Sequence, residues 1–368
     1  MAIYKIFPEK SATLYSYYPT TNTGLDEILD LSTYNTIEGT YEVSRPIIKF
    51  PQSEILDIIN NKVSGSSYSA SLRLSLANAS QVPLDYKIFC HPLAADWNVG
   101  SGRLGNSPTT TDGVSWGYKD YISGSAWFIA GTFPAGTTGS YKSGSDVGGG
   151  LWWTGSSYIA TQSFIHADSL DINLNVTNTV AAWSGSIFSN YGFILKNSSS
   201  LEFNTSSYFE TQYFSGETHT IYPPCLEIKW NDYIYSTGSL QFVTSPNIVA
   251  TLANNQGEYQ QGSVQRFRIS IRDRFPARAF QATSVYLNNK VFIETSNPVY
   301  QIKDLDTEEI VVDYDTTYTK VCCDPTSNYF DVYMNGLEPE RYYKILIKAT
   351  LSGTTIVLDD NYHFKVIR

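Results

Sequence analysis

Between Trp97 and Trp153 the chain concentrates glycine, serine, threonine and tryptophan, in GSGRLGNSPTTTDGVSWGY and then VGGGLWW, between flanks that alternate apolar and polar residues. Such a stretch cannot build a helical core, because glycine favours bends and serine and threonine compete with the helical backbone for hydrogen bonds. It predicts long decorated loops carried by a β-sandwich, and β scaffolds place binding function on such loops.

Composition agrees with a β architecture. The chain has 368 residues, too many for one typical domain, and predicts two or three. Aromatic residues make up 14%, led by 28 tyrosines and 18 phenylalanines, while charged residues make up only 16%, a balance that favours strands. No apolar run approaches the roughly 20 residues needed to span a bilayer, so membrane insertion is not expected. The opening MAIYKIFPEK has no basic segment followed by an apolar stretch and a cleavage site, which predicts synthesis and folding in a cytoplasm. The net charge of -10 argues against wrapping nucleic acid, which needs clustered Lys and Arg. Cys90 and Cys225 stand alone and Cys322 and Cys323 are adjacent with no second pair, so buried thiols are expected rather than zinc.

Along the chain, 3–7 and 12–18 read as strands around Pro8, and RPIIKFP at 45–51 as a compact apolar strand. Ile55, Ile58, Ile59 and Val63 recur at helical spacing in EILDIINNKV and predict a short surface helix. Leu72, Leu74 and Leu76 share one face of a strand, Leu84, Tyr86, Ile88 and Cys90 one face of the next, and Leu170, Ile172, Leu174 and Val176 alternate again. VTNTVAAW predicts one helical turn, and NYGFILKNSS, SSLEFNT and CLEIKWND the closing strands. Residues 1–233 therefore predict a jelly-roll-like β-sandwich in which the first and last strands pair. Regularity fades over 234–262, which reads as a linker or inter-domain segment, pairing in cis or in trans. Residues 263–368 predict a second sandwich. In VQRFRISIRDRF, Phe267, Ile269 and Ile271 take one face and Arg266, Arg268 and Arg272 the other. Leu337, Pro339 and Tyr342 in GLEPERYY have the spacing of the tyrosine corner of immunoglobulin and fibronectin type III sandwiches.

The first domain resembles the DNRLRE type of β-sandwich. The likeness rests on FPEKSATLYSYYPTTNTGLDEILDL, then RPIIKF, SASLRLSL, LAADWNVG, DGVSW and the glycine-tryptophan loop, and at its end on WSGSIFSNYGFILK and FETQYFSGETHTIYPPCLEIKW. It covers about residues 1–233. Ser44, Arg45, Pro46 and Ile47 stand where the family carries its Asn-Arg-Leu-Arg run. That module occurs in cell-surface and secreted proteins and in virion proteins of large tailed phages. The resemblance, together with an immunoglobulin-like second domain, implies a virion protein of the tail, baseplate, neck or an attached fibre, a homo-oligomer contacting other virion proteins.

Candidate sites have a chemical and a structural reading each. Trp97, Trp116, Trp127, Trp152 and Trp153 lie in or beside the loops and can stack on a host surface glycan; the alternative is that they plug the sandwich beneath the loops. Arg266, Arg268, Arg272, Arg274 and Arg278 form a local basic run that can anchor a subunit interface, or an ordinary solvated strand face. Asp26, Glu27 and Asp30, the pair Asp112 and Asp120, and Asp304, Asp306, Asp313 and Asp315 offer oxygens, but none has the spacing of a dedicated calcium loop. His91, His166, His219 and His363 are scattered, without a nucleophile motif. The sequons at Asn78, Asn175, Asn197 and Asn204 carry little weight without a secretory route. The expectation is a non-enzymatic assembly protein without cofactor or metal, with a glycan-binding fibre as the alternative and a polysaccharide depolymerase as the third.

Overall fold

The computed structural model describes residues 2–35, 41–63, 67–129, 132–141, 147–165, 167–202, 208–276 and 289–368. The chain is all-β and sandwich-like, and it divides into two compact units. One consists of Ile6–Lys62 and Ser69–Glu227; the other of Met1–Lys5, Val63–Tyr68 and Ile228–Arg368.

The first unit is built on an eight-stranded sheet in the order Ala160–Ile165, Asp85–Pro92, Phe193–Asn197, Tyr41–Lys49, Ile28–Asn35, Phe209–Phe214 and Leu76–Ser80, with Lys10–Tyr15 also paired to Tyr41–Lys49. In a second sheet, Tyr68–Leu74 pairs with Ile172–Asn175. The two leucine alternations find each other: Leu72 stands opposite Leu174 and Leu74 opposite Ile172, all buried. Leu76 does not continue that face, because the chain leaves the sheet at Ser75 and Leu76–Ser80 joins Phe209–Phe214 instead. Leu84, expected inward with Tyr86, Ile88 and Cys90, is exposed just before the strand begins.

Helices form where spacing called for them, Gln52–Asp57 running into a π-turn at Ile58–Lys62, and Thr177–Ser184 burying Val180 and Trp183. Within SSLEFNT, where a strand is expected, Ser199–Glu202 is a short helix and 203–205 lie outside the described residues; the helix is held at its start by Ser198, whose Oγ accepts from Leu201 N at 3.3 Å and whose carbonyl accepts from Glu202 N at 2.8 Å. A local serine cap outcompetes weak strand propensity there.

In the second unit, one sheet carries Ile248–Ala253 on Val264–Asp273, followed by Asn328–Tyr333 and Cys322–Cys323. The facing sheet runs Glu258–Gln260, His363–Ile367, Tyr342–Leu351, Val299–Asp304 and Ile310–Val312, with Thr354–Leu358 folded back on Tyr342–Leu351. Phe267, Ile269 and Ile271 point inward, as their alternation predicts, onto Phe330, Ile345, Ile347 and Phe364. Ile248–Ala253 serves one sheet, and the chain then crosses so that Glu258–Gln260 lies parallel to the last strand of the other. That is the strand order of an immunoglobulin-type sandwich.

Two boundaries differ from expectation. The division falls at Glu227 and Ile228, and residues 234–262 are no linker: Gln241–Phe242, Ile248–Ala253 and Glu258–Gln260 are strands of the second sandwich, paired within the same chain. Ser245-Pro246 and Asn254 to Gly257 break this stretch into pieces too short to show a period, and only the partner strands define their register.

Candidate functional site

The glycine-tryptophan loops close over the first unit. Trp97, Trp116, Trp127 and Trp152 are all at least 96% buried, and they pack with Leu14, Ile47, Leu93 and Ile194 in one core cluster. The indole nitrogens of Trp97 and Trp127 donate to Tyr191 O and Ser115 O, each at 3.0 Å. Their faces are therefore unavailable to a sugar, and the stacking expectation is corrected for these four. Loops this rich in glycine have few apolar side chains of their own, and the indoles supply the missing buried area. Trp153 is half-buried, stacked on Phe188 at 5.1 Å.

Beneath the loops lies a group of charges. Val43, Arg45 and Ile47 alternate onto the inner face of Tyr41–Lys49, which drives a guanidinium into the core with no exposed surface. Arg45 donates from Nε to Glu202 Oε1 at 2.7 Å and from Nη1 to Gly149 O at 2.7 Å. Its guanidinium lies 5.0 Å from the Trp116 ring and 5.2 Å from the Trp152 ring, within cation–π range of both. Lys196 reaches Glu202 Oε2 at 3.1 Å and sits 4.8 Å from Trp152. Burial alone would raise the Glu202 carboxyl, but Arg45 and Lys196 outweigh it and hold it below its usual range. Burial, with Lys196 next, pushes the neighbouring His91 down to about 4, so this imidazole stays neutral near pH 7.

This group explains VGGGLWW. A Cβ on Gly148 would stand 2.4 Å from Trp116 O, one on Gly149 2.6 Å from Arg45 Nη1, and one on Gly150 2.7 Å from Ile194 Cδ1. The strand Val147–Trp153 passes so close to Arg45 and Trp116 that only glycine fits. Arg45, Lys196 and Glu202 escape a reading based on motifs. The available signal was the parity of Arg45, a charge at an inward position of an apolar strand.

Several of the acidic candidates hold loops and turns, while Asp30, on the strand Ile28–Asn35, accepts from the Tyr15 hydroxyl. Asp26 accepts from Leu104 N at 3.0 and 3.2 Å, and burial raises it to about 6. Asp112 accepts from Ser101 N at 2.9 and 3.1 Å. Asp304 accepts from Arg341 Nε at 2.6 Å and from two backbone amides; burial opposes these bonds, but they win and hold it at about 2. Asp313 and Asp315 accept from Gln301 and from the amides of Thr317 and Tyr318. Among the described residues no group of three His, Cys, Asp or Glu is arranged to hold a metal ion. His166 lies outside the described residues, and His219 and His363 are exposed.

The arginine run is largely satisfied within its own sheet. Register sets Arg266 opposite Asp331, and the two form a bidentate pair at 2.8 Å on both arms. Arg268 binds Asp324 at 3.0 and 2.8 Å, and Tyr329 lies under both guanidinium groups. Carboxylates of the same chain, Asp331 and Asp324, therefore already occupy the forks of these two arginines. Arg272 bonds Asp273 O, Arg274 N bonds Asn247 O, and Arg278 lies outside the described residues. The tyrosine corner exists one residue later than expected. Tyr342 is 43% exposed, whereas Tyr343 is buried and donates from its hydroxyl to Glu338 O at 2.9 Å, and Leu337 is buried in the same core cluster. Strand parity decides this, since inward positions of Tyr342–Leu351 begin at Tyr343.

Comparison with protein-family models and with curated proteins finds no match. Among solved structures, the chain aligns with a DUF4785 family protein from Legionella pneumophila at 7% identity and a TM-score of 0.17. That alignment covers 98% of this chain and 65% of the other.

Proposed function

We propose that the protein is a non-enzymatic structural component of a tailed-phage virion, assembling through the rigid outer surfaces of its two β units. The observation that supports a structural over a glycan-stacking role is the burial of Trp97, Trp116, Trp127 and Trp152 around the Arg45 cluster, which makes the loop region a filled cap. The virion assignment draws on the DNRLRE resemblance of residues 1–233 and on the immunoglobulin-type partner unit. Its partners are other virion proteins and further copies of itself.

Two measurements test this. Electron cryo-microscopy of particles containing the chain should find it at a fixed position in the tail, baseplate, neck or fibre; its absence from purified particles refutes the virion reading. Indole fluorescence that resists soluble quenchers and ignores host polysaccharide fits the filled cap. A spectral shift on adding polysaccharide would favour the glycan-binding alternative.

A further inference from the structure

Two of the second unit's edge strands, one in each facing sheet, lie side by side. Thr354–Leu358 pairs with Tyr342–Leu351 on one side only, and on the facing sheet Ile248–Ala253 pairs only with Val264–Asp273, among the described residues. Neither TTIVL nor IVATLA contains a charge or a proline. Edge strands ordinarily carry such residues, or a bulge, to prevent pairing with another chain. Val357 is 53% exposed, while Ile356 and Leu358 pack on the core and fix the strand's two faces. A small apolar gap lined by Leu252, Ile345, Ile347, Leu358 and Tyr362 opens between the two edges.

We infer that the Thr354–Leu358 edge pairs antiparallel with the same edge of a second copy, about a two-fold axis at Ile356. Charge selects the direction, and an uncharged strand with an acidic pair at one end and a neutral turn at the other is complementary to a second copy of itself. The strand is flanked by Ser352-Gly353 at one end and Asp359-Asp360 at the other. Antiparallel pairing sets Thr354 against Leu358 and Thr355 against Val357, and each acidic pair then faces the uncharged turn of the other copy. Parallel pairing would set the two Asp359-Asp360 pairs together, four carboxylates against the one Lys344 that each copy places at 2.8 Å from its Asp359, and like charges directly opposite are destabilising. A self-complementary edge of this kind closes on itself about the two-fold axis, so pairing through Thr354–Leu358 stops at a dimer. The inference concerns the second unit alone and does not rest on the virion reading.

Sedimentation of the purified full-length chain over a concentration series tests it, together with amide hydrogen exchange. The expected result is a monomer-to-dimer transition in which the amides of residues 354–358 gain protection as dimer forms. The double substitutions Thr355→Lys with Val357→Lys, and Thr355→Asp with Val357→Asp, lie on the exposed face and oppose like charges across the axis. Each should weaken self-association at least tenfold, and an equimolar mixture of the two should restore the dimer. A wild-type chain that stays monomeric overturns the inference. So does a dimer whose 354–358 amides gain no protection, one that survives both substitutions, or growth beyond two copies.

Discussion

Arg45 donates from Nη1 to Gly149 O at 2.7 Å, and a Cβ added to Gly149 would stand 2.6 Å from that same nitrogen. The bond and the glycine are one feature: the strand must come this close for its carbonyl to satisfy a buried guanidinium. Gly149 also has φ +71°, where an L side chain is strained. Gly149→Ala should therefore cost about 2–4 kcal/mol, combining left-handed strain with displacement of Arg45 and Trp116. Urea unfolding should show the loss, with a shift in tryptophan emission as Trp116 and Trp152 separate from the cation.

Glu202 contacts two buried cations, Arg45 and Lys196. Glu202→Gln keeps the shape but leaves both cations without a counter-charge, and should cost about 3–5 kcal/mol. Arg45→Met in the Glu202→Gln background should cost less than in the wild type, with a coupling of about 1–3 kcal/mol by double-mutant cycle. Additive losses would show that the ion pair contributes nothing specific.

The β character, the second sandwich and the inward faces at Leu72, Ile172 and Phe267 were legible because alternation is a local signal. The linker reading of 234–262 failed because strands such as Glu258–Gln260 are too short for a period, and partners far along the chain order them. The Trp loops were visible as a composition, but burial depends on what lies underneath. The cation at Arg45 and the anion at Glu202 are 157 residues apart, a pairing no local reading can supply. Arg266 likewise looked available only because Asp331, its cross-strand neighbour, is far away in sequence.

His91 and Asp26 give opposite pH dependences. Burial and Lys196 lower His91 from 6.5 to about 4. Above pH 6.5 neither state binds the proton and His91 costs nothing. Between 6.5 and 4 the unfolded chain takes up a proton that the folded chain refuses, so stability falls on acidification, by up to about 3 kcal/mol. Asp26 is raised by burial from 3.8 to about 6, so in that window the folded chain holds a proton the unfolded chain has released, and stability rises as pH falls. Urea midpoints between pH 7.5 and 4.5 should flatten at the acidic end in His91→Gln and steepen in Asp26→Asn. A His91→Gln profile parallel to wild type would contradict the buried, neutral imidazole.

The corner in the second unit separates two adjacent tyrosines. Tyr343 is buried and ties its hydroxyl to Glu338 O, five residues back across the turn that starts Tyr342–Leu351. Tyr343→Phe keeps the ring in the core but strands a carbonyl, and should cost about 1–2 kcal/mol. Tyr342→Phe changes an exposed hydroxyl and should stay within about 0.5 kcal/mol of wild type. Thermal or urea unfolding of the two variants side by side decides which residue is the corner. If Tyr342→Phe were the more costly, the inward register of this strand would have to shift by one, exposing Ile345 and Ile347.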